Sequence, residues 1–241
     1  MRRYRSANGE ERFWFEPSEI DDILEGELIK AGLYPSPEHS IVDIERFLEV
    51  HLHAVLDQHA NLEKEVLGVT TFLIGRQPKV EINHDLTDAI DNGEENVSTL
   101  GRWRATLAHE SAHIVLHRPL FQISEMQGDF FKEVSSLSSK EVMIKCFKKN
   151  VGFSRRHVDW REYQANQGMA AILMPQGLVK ELAKNKLGMN HDKFLEDHSQ
   201  EAISLVESIS DLFQVSRQAA EIRLKDVGII IPRGQAQMKT I

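Results

Sequence analysis

Three observations predict an α+β fold. Val69-Thr70-Thr71-Phe72-Leu73-Ile74 is rich in β-branched and aromatic residues, and Lys79-Val80-Glu81-Ile82-Asn83 alternates, so the pair reads as two strands joined by a short turn. Arg104 to His117 is a run of helix formers without Gly or Pro. The last quarter, from Leu178 onward, is helical in character. A sheet beside a long helix, with more helices after it, is an α+β plan.

In chain order, residues 1–12 are polar and read as loose at the very end, while Phe13, Trp14 and Phe15 read as an anchor onto the body. Ile20, Ile23, Leu24, Leu28 and Ile29 recur at helical spacing after Pro17 and Ser18, and Gly32, Pro35 and Pro37 close that helix. Ile41, Ile44, Phe47, Leu48 and Leu52 stripe a second. His51 and His53 are two apart and face different ways on such a helix, so with His59 they read as solvated histidines rather than as a metal site. The two strands follow. The loop of residues 91–96 leads to the central helix, with Ser98 or Thr99 as its N-cap.

The central helix carries His109-Glu110-Ser111-Ala112-His113, a His-Glu-x-x-His pattern. Four residues apart, His109 and His113 share one face, where two neutral imidazoles converge on one metal ion. Glu110 points elsewhere, placed to take a proton from water without joining the ligands. The pattern also arises by chance. Its setting argues for the metal: Leu107, Ala108, Ala112, Ile114, Val115 and Leu116 make the helix apolar, and three titratable residues are costly to bury there without a shared partner. His117, ahead of Pro119, reads as a helix C-terminal residue that favours the dipole.

After Pro119 the pattern weakens. Val142, Met143, Ile144 and Phe147 mark a short strand or helix, and periodicity leaves the choice open. Asp159 then opens a helix that stops at Pro175. Three residues after Asp159, Glu162 has two readings of equal weight: the far half of a capping box, or a third metal ligand from a helix packed on the central one. In the last quarter Ile203, Val206, Ile209, Leu212 and Phe213 form one stripe and Ala219, Ala220, Ile222, Arg223, Leu224 and Val227 another, the outline of a helix-turn-helix. Ile229-Ile230-Ile231 adds an edge strand.

Composition bounds the function. At 241 residues the chain can bury a substantial core, and its net charge of −8 argues against a surface devoted to nucleic acid. Cys146 is the only cysteine, which excludes an intramolecular disulfide and a thiolate zinc cage and favours a reducing compartment; its own reading is a small, half-buried apolar residue. No stretch is long and apolar enough to span a membrane, and the first residues lack an apolar signal core, so the cytoplasm is the expected location.

Three stretches together resemble the ImmA/IrrE family of metallopeptidase-like proteins: Arg104 to His117, Glu162 to Pro175 with its Glu-x-x-Ala-Asn and Leu-Met-Pro, and Phe213-Gln-Val-Ser to Arg223-Leu. The resemblance implies a zincin-like metallopeptidase domain over residues 1–177, with an insertion at about 120–158, and a helical, helix-turn-helix-like part over 178–241. It implies that His109, His113 and Glu162 bind zinc, or manganese in its place, and that Glu110 is the catalytic base. Asn166 is then expected to orient a ligand, and Tyr163, His157 and Arg156 to be candidates for stabilising the transition state. The implied partner is a protein substrate such as a helix-turn-helix repressor or antitoxin, in bacteria, phages or other mobile elements, with stress regulation among the family's roles. A metal-stabilised regulator without catalysis, or a toxin component acting through protein or DNA binding, is the alternative.

Overall fold

The computed structural model describes residues 2–5, 11–73, 75–92, 97–127, 141–147, 159–188 and 194–233. It is a mixed α+β structure. Strands β1 (Arg2–Arg5) and β2 (Glu11–Trp14) pair antiparallel, so the chain start is tied down rather than loose, and Phe13 and Phe15 are buried as the anchor. Charged residues make up much of both strands, which is why alternation does not reveal them; backbone pairing does the work. Helix α1 (Pro17–Lys30) buries Ile20, Leu24 and Leu28 and leaves Ile29 exposed.

The α-helical part of the second helix is shorter than its stripe implies, and the helix then widens. Its α-helical part, α2, covers only Ile44–Arg46, and Phe47–His51 continue as a π-helical turn that buries Phe47 and Leu48. Next come β3 (Val55–Ala60), β4 (Val66–Leu73), β5 (Lys79–Asn83) and helix α3 (His84–Asp91). The strand β3 has no apolar face to announce it: its residues are mostly half-exposed, and it is held by parallel pairing with β5.

Helix α4 spans Val97–Gln127, 31 residues. It opens ahead of both Ser98 and Thr99, and it runs through Pro119. The proline removes one backbone donor, the partner of the Val115 carbonyl, without ending the helix. Strand β6 (Glu141–Phe147) settles the ambiguous segment: it pairs antiparallel along β4, which directs Val142, Ile144 and Cys146 to one face and Met143 and Lys145 to the other. The sheet order is β3-β5-β4-β6. Of the segment expected as an insertion, 120–158, residues 128–140 and 148–158, with Arg156, lie outside the described residues.

Helices α5 (Trp160–Leu173) and α6 (Gln176–Leu187) follow, then strand β7 (Leu195–Glu196), helices α7 (Gln200–Phe213) and α8 (Arg217–Asp226) and strand β8 (Ile230–Ile231), which pairs parallel with β7. On α7 the buried stripe is Ala202, Leu205, Ile209 and Phe213, one step round from the expected one: Ile203 and Leu212 face solvent. Gln214 takes a left-handed backbone and Ser216 caps α8, which makes the turn between the two helices. Arg223 is not on an exposed face. It is buried, paired with Asp21 of α1 at 2.7 Å, and its Nε donates to the Met174 carbonyl. One hydrophobic core extends from Phe13 to Ile230, with α4 at its centre against α1, α3, α5, β4 and β5. Among the described residues no helix is long and apolar enough to cross a membrane.

Candidate metal centre

Helix α4 brings His109 and His113 onto one face, and their Nε2 atoms lie 3.1 Å apart. Glu162, in the first turn of α5, aims at both: Oε2 is 3.4 Å from His109 Nε2 and Oε1 is 3.3 Å from His113 Nε2. The capping-box reading of Glu162 does not hold, because the Asp159 side chain caps α5 by accepting from Arg161 N while Glu162 turns inward. The first turn of a helix suits a carboxylate, whose charge faces the positive end of the dipole.

Gly168 makes the reach across the two helices feasible. A Cβ there would come within 2.6 Å of the Ala112 Cβ, so α5 lies against α4 only because this position has no side chain. Both histidines are fully buried and Glu162 nearly so.

Glu110 turns the other way, toward the sheet. Thr70 of β4 donates its hydroxyl to Glu110 Oε2, and the thiol of Cys146 on β6 lies close to the carboxylate, its sulfur within 4.8 Å of a carboxylate oxygen. Gly68 gives it room, since a Cβ at 68 would stand 2.8 Å from Glu110 Oε1. Gly68 pairs across β4 and β6 with Cys146. None of Gly68, Thr70 and Cys146 stands out in sequence, because each reaches Glu110 only through strand pairing and helix packing. Cys146 is fully buried rather than half-buried.

His117 is not at a helix end. With α4 running on to Gln127, it is fully buried, its Nδ1 2.9 Å from His113 Nδ1 and its Nε2 3.2 Å from Gln164 Oε1. The edge of the Trp160 ring closes over it at 5.6 Å between centroids. Gln164 in turn donates from Nε2 to the Phe13 carbonyl at 2.9 Å. The spacing of four from His113 was visible in the sequence; Gln164 carried no signal.

Of the remaining candidates, Asn166 sits one turn beyond Glu162 and stands beside His109, whose pKa it helps to raise. Tyr163 stacks on Trp14, with ring centroids 5.8 Å apart and planes 4° from parallel, which commits it to the N-terminal hairpin. His157 lies outside the described residues, as does Arg156.

Burial sets the charge states. It pushes the Glu110 carboxyl up to about 7, against the opposing effects of the His109 charge and the Thr70 hydroxyl. It pushes His113 down to about 4 despite the close Glu162 carboxylate, and His117 well below the usual imidazole range. For Glu162, burial raises the pKa, but the contacts with His109 and His113 outweigh it and hold the group well below the carboxylate range. His109 is likewise lowered by burial but raised on balance by the contact with Glu162 and by the charges of Glu110 and Glu162. Burial, first, and then the Glu110 charge raise the Cys146 thiol.

These groups fit a metal ion. In a tetrahedral site with metal–ligand bonds of about 2.0–2.1 Å, donor atoms stand about 3.3 Å from each other. The three separations here are 3.1, 3.3 and 3.4 Å. Glu162 Oε2 accepts no hydrogen bond among the described residues, a costly state for a buried carboxylate oxygen that a cation would relieve. A second group of donor atoms within 4.8 Å of each other, His109, Glu110 and Cys146, shares this interior, and a third, His59, Asp88 and Asp91, is exposed. No protein-family model matches the chain, and no curated protein matches it.

Proposed function

We propose that the chain is a zinc-dependent endopeptidase of the zincin type, akin to the ImmA/IrrE family, that hydrolyses a peptide bond in a protein partner such as a helix-turn-helix repressor or antitoxin. The observation that carries the reading is the convergence of His109 Nε2, His113 Nε2 and the Glu162 carboxylate on one buried point, with a fourth side chain, Glu110, beside it but outside the triangle. Zinc held by His109, His113 and Glu162, or manganese in its place, supplies a Lewis acid that acidifies water and polarises a carbonyl. Glu110 would take a proton from the attacking water and hand it to the leaving amine. In the metal-free chain burial raises its pKa to about 7, so its proton affinity is well above that of an ordinary glutamate before a cation is bound. Thr70 holds its carboxylate, with Cys146 packed beside it, and Asn166 stands beside His109. The nature of the substrate follows from the sequence resemblance.

A second reading has one observation in its favour. His109, Glu110 and His113 are all fully buried, as suits a metal that stabilises the fold of a non-catalytic regulator or toxin component. One variant separates the two. Glu110→Gln keeps the shape of the side chain and loses the base; for a peptidase, zinc content measured by elemental analysis stays near one per chain while cleavage of a repressor substrate falls by about 10²–10⁴. Unchanged cleavage in that variant would defeat the proposed mechanism, and a wild-type protein that takes up no metal when zinc is supplied would defeat both readings.

A further inference from the structure

We infer that His117 and Gln164 are positioning residues that fix the tautomer of His113, so that a one-way chain of hydrogen bonds starting at the Phe13 carbonyl presents a bare Nε2 to the metal position. The direction of the chain follows from donors and acceptors alone. A backbone carbonyl only accepts, so the atom of Gln164 that lies 2.9 Å from Phe13 O is the amide nitrogen. The amide oxygen is then the atom 3.2 Å from His117 Nε2, and that nitrogen has to carry a hydrogen. In a neutral imidazole the other nitrogen is bare. His117 is closed in by Trp160, fully buried and without a carboxylate in hydrogen-bond contact among the described residues, so no second proton is stabilised on it. Its Nδ1 therefore accepts, and the group 2.9 Å away, His113 Nδ1, donates. His113 Nε2 is left with its lone pair, aimed between His109 and Glu162.

Two consequences follow. Donation from Nδ1 makes His113 a stronger ligand and stops its ring from rotating, the part that a carboxylate or carbonyl plays beside most metal-bound histidines and that a third histidine plays here. The chain also ties the ligand to β2, so the N-terminal hairpin acts on the site through the Phe13 carbonyl. The effect on metal affinity rests on the metal-site reading above; the tautomer does not.

The test is a long-range ¹H–¹⁵N correlation spectrum of histidine-labelled protein, first metal-free and then with zinc, alongside zinc affinity by competition with a chromophoric chelator. Expected in the metal-free wild type is His113 protonated at Nδ1 and His117 at Nε2. His117→Phe, which keeps an aromatic ring in the space, weakens zinc by about 10- to 100-fold, and His117→Gln, whose amide oxygen accepts from His113, recovers part of the loss. A His113 protonated at Nε2 in the metal-free wild type, or a His117→Phe variant with unchanged zinc affinity, would overturn the inference. Should the wild type bind no zinc, the proposed function fails, while the metal-free tautomers still decide this point, as they do if His117→Phe does not fold.

Discussion

Two of the groups of side chains that bring potential metal ligands together among the described residues differ in nearly everything else. His109, His113 and Glu162 are buried between α4 and α5; His59, Asp88 and Asp91 stand on β3 and α3, exposed, and in both groups the donor atoms lie within 4.8 Å of one another. Water satisfies the exposed group: the His59 and Asp88 side chains are 59% and 50% accessible, and their 3.4 Å contact is screened. The buried group has no such recourse. Its carboxylate is out of water, and further side chains back its histidines, Asn166 beside one and His117 with Gln164 hydrogen-bonded in line on the other. Desolvation together with a supporting layer, rather than proximity, separates a prepared site from a coincidence of surface charge.

The largest effect follows from breaking one group and then the other. Glu162→Ala or His113→Ala removes one of the three proposed ligands and should abolish stoichiometric zinc in protein purified with the metal supplied. Asp88→Asn leaves the zinc content and affinity of the protein unchanged. Equal losses from Glu162→Ala and Asp88→Asn, or loss from Asp88→Asn alone, would show that the exposed group holds the metal.

A smaller effect distinguishes the two walls of the buried site. Gly168→Ala forces a Cβ to within 2.6 Å of Ala112 and pushes α5 off α4, so overpacking of about 1–3 kcal/mol outweighs the roughly 1 kcal/mol that alanine gains in a helix. Thermal unfolding should register the loss, and zinc affinity should fall with it because Glu162 travels on α5. Gly68→Ala meets the Glu110 carboxylate at 2.8 Å, the end of a side chain that can move aside. That variant keeps its zinc affinity and loses cleavage rate. If instead Gly68→Ala weakened zinc as much as Gly168→Ala does, the assignment of ligand wall and base wall would be wrong.

The same division explains what could be read from the sequence. His109, Glu110 and His113 were legible because their relation is local, fixed by 3.6 residues per turn. Glu162 was half legible: its place after Asp159 fitted a cap as well as a ligand, and only the packing of α5 on α4 through Gly168 decides where its side chain goes. His117 was misread because Pro119 was taken to end the helix, whereas a proline that forfeits one hydrogen bond can be carried by a helix whose neighbours are well packed. Thr70, Gly68, Cys146 and Gln164 were silent, since pairing between distant strands leaves no mark in a local pattern. In the fold, the periodic elements α1, β4 and β5 were visible; β1 and β3, which lack an apolar face, were not.

The finest distinction between the two environments lies in how a buried carboxylate responds to pH when no metal is bound. Glu110 titrates near 7 in the folded protein because burial penalises its charge, against 4.5 for an ordinary glutamate. Between those values the folded chain holds a proton that the unfolded chain has released, so this group costs stability progressively as pH rises from about 4.5 to 7. His113 acts in the opposite sense: its pKa near 4 means that the unfolded chain binds the extra proton below about 6.5, and stability falls on acidification. The two oppose each other over most of that window, which leaves the metal-free wild type with a muted pH dependence from this pair. Glu110→Gln unmasks it. Relative to wild type, the metal-free variant should gain stability from pH 4.5 to 7 by on the order of 1–3 kcal/mol, read from urea midpoints at a series of pH values. A difference that stays flat across the window would mean that Glu110 is solvated in the metal-free state, and that its enclosure by Thr70, Gly68 and Cys146 forms only when metal is bound.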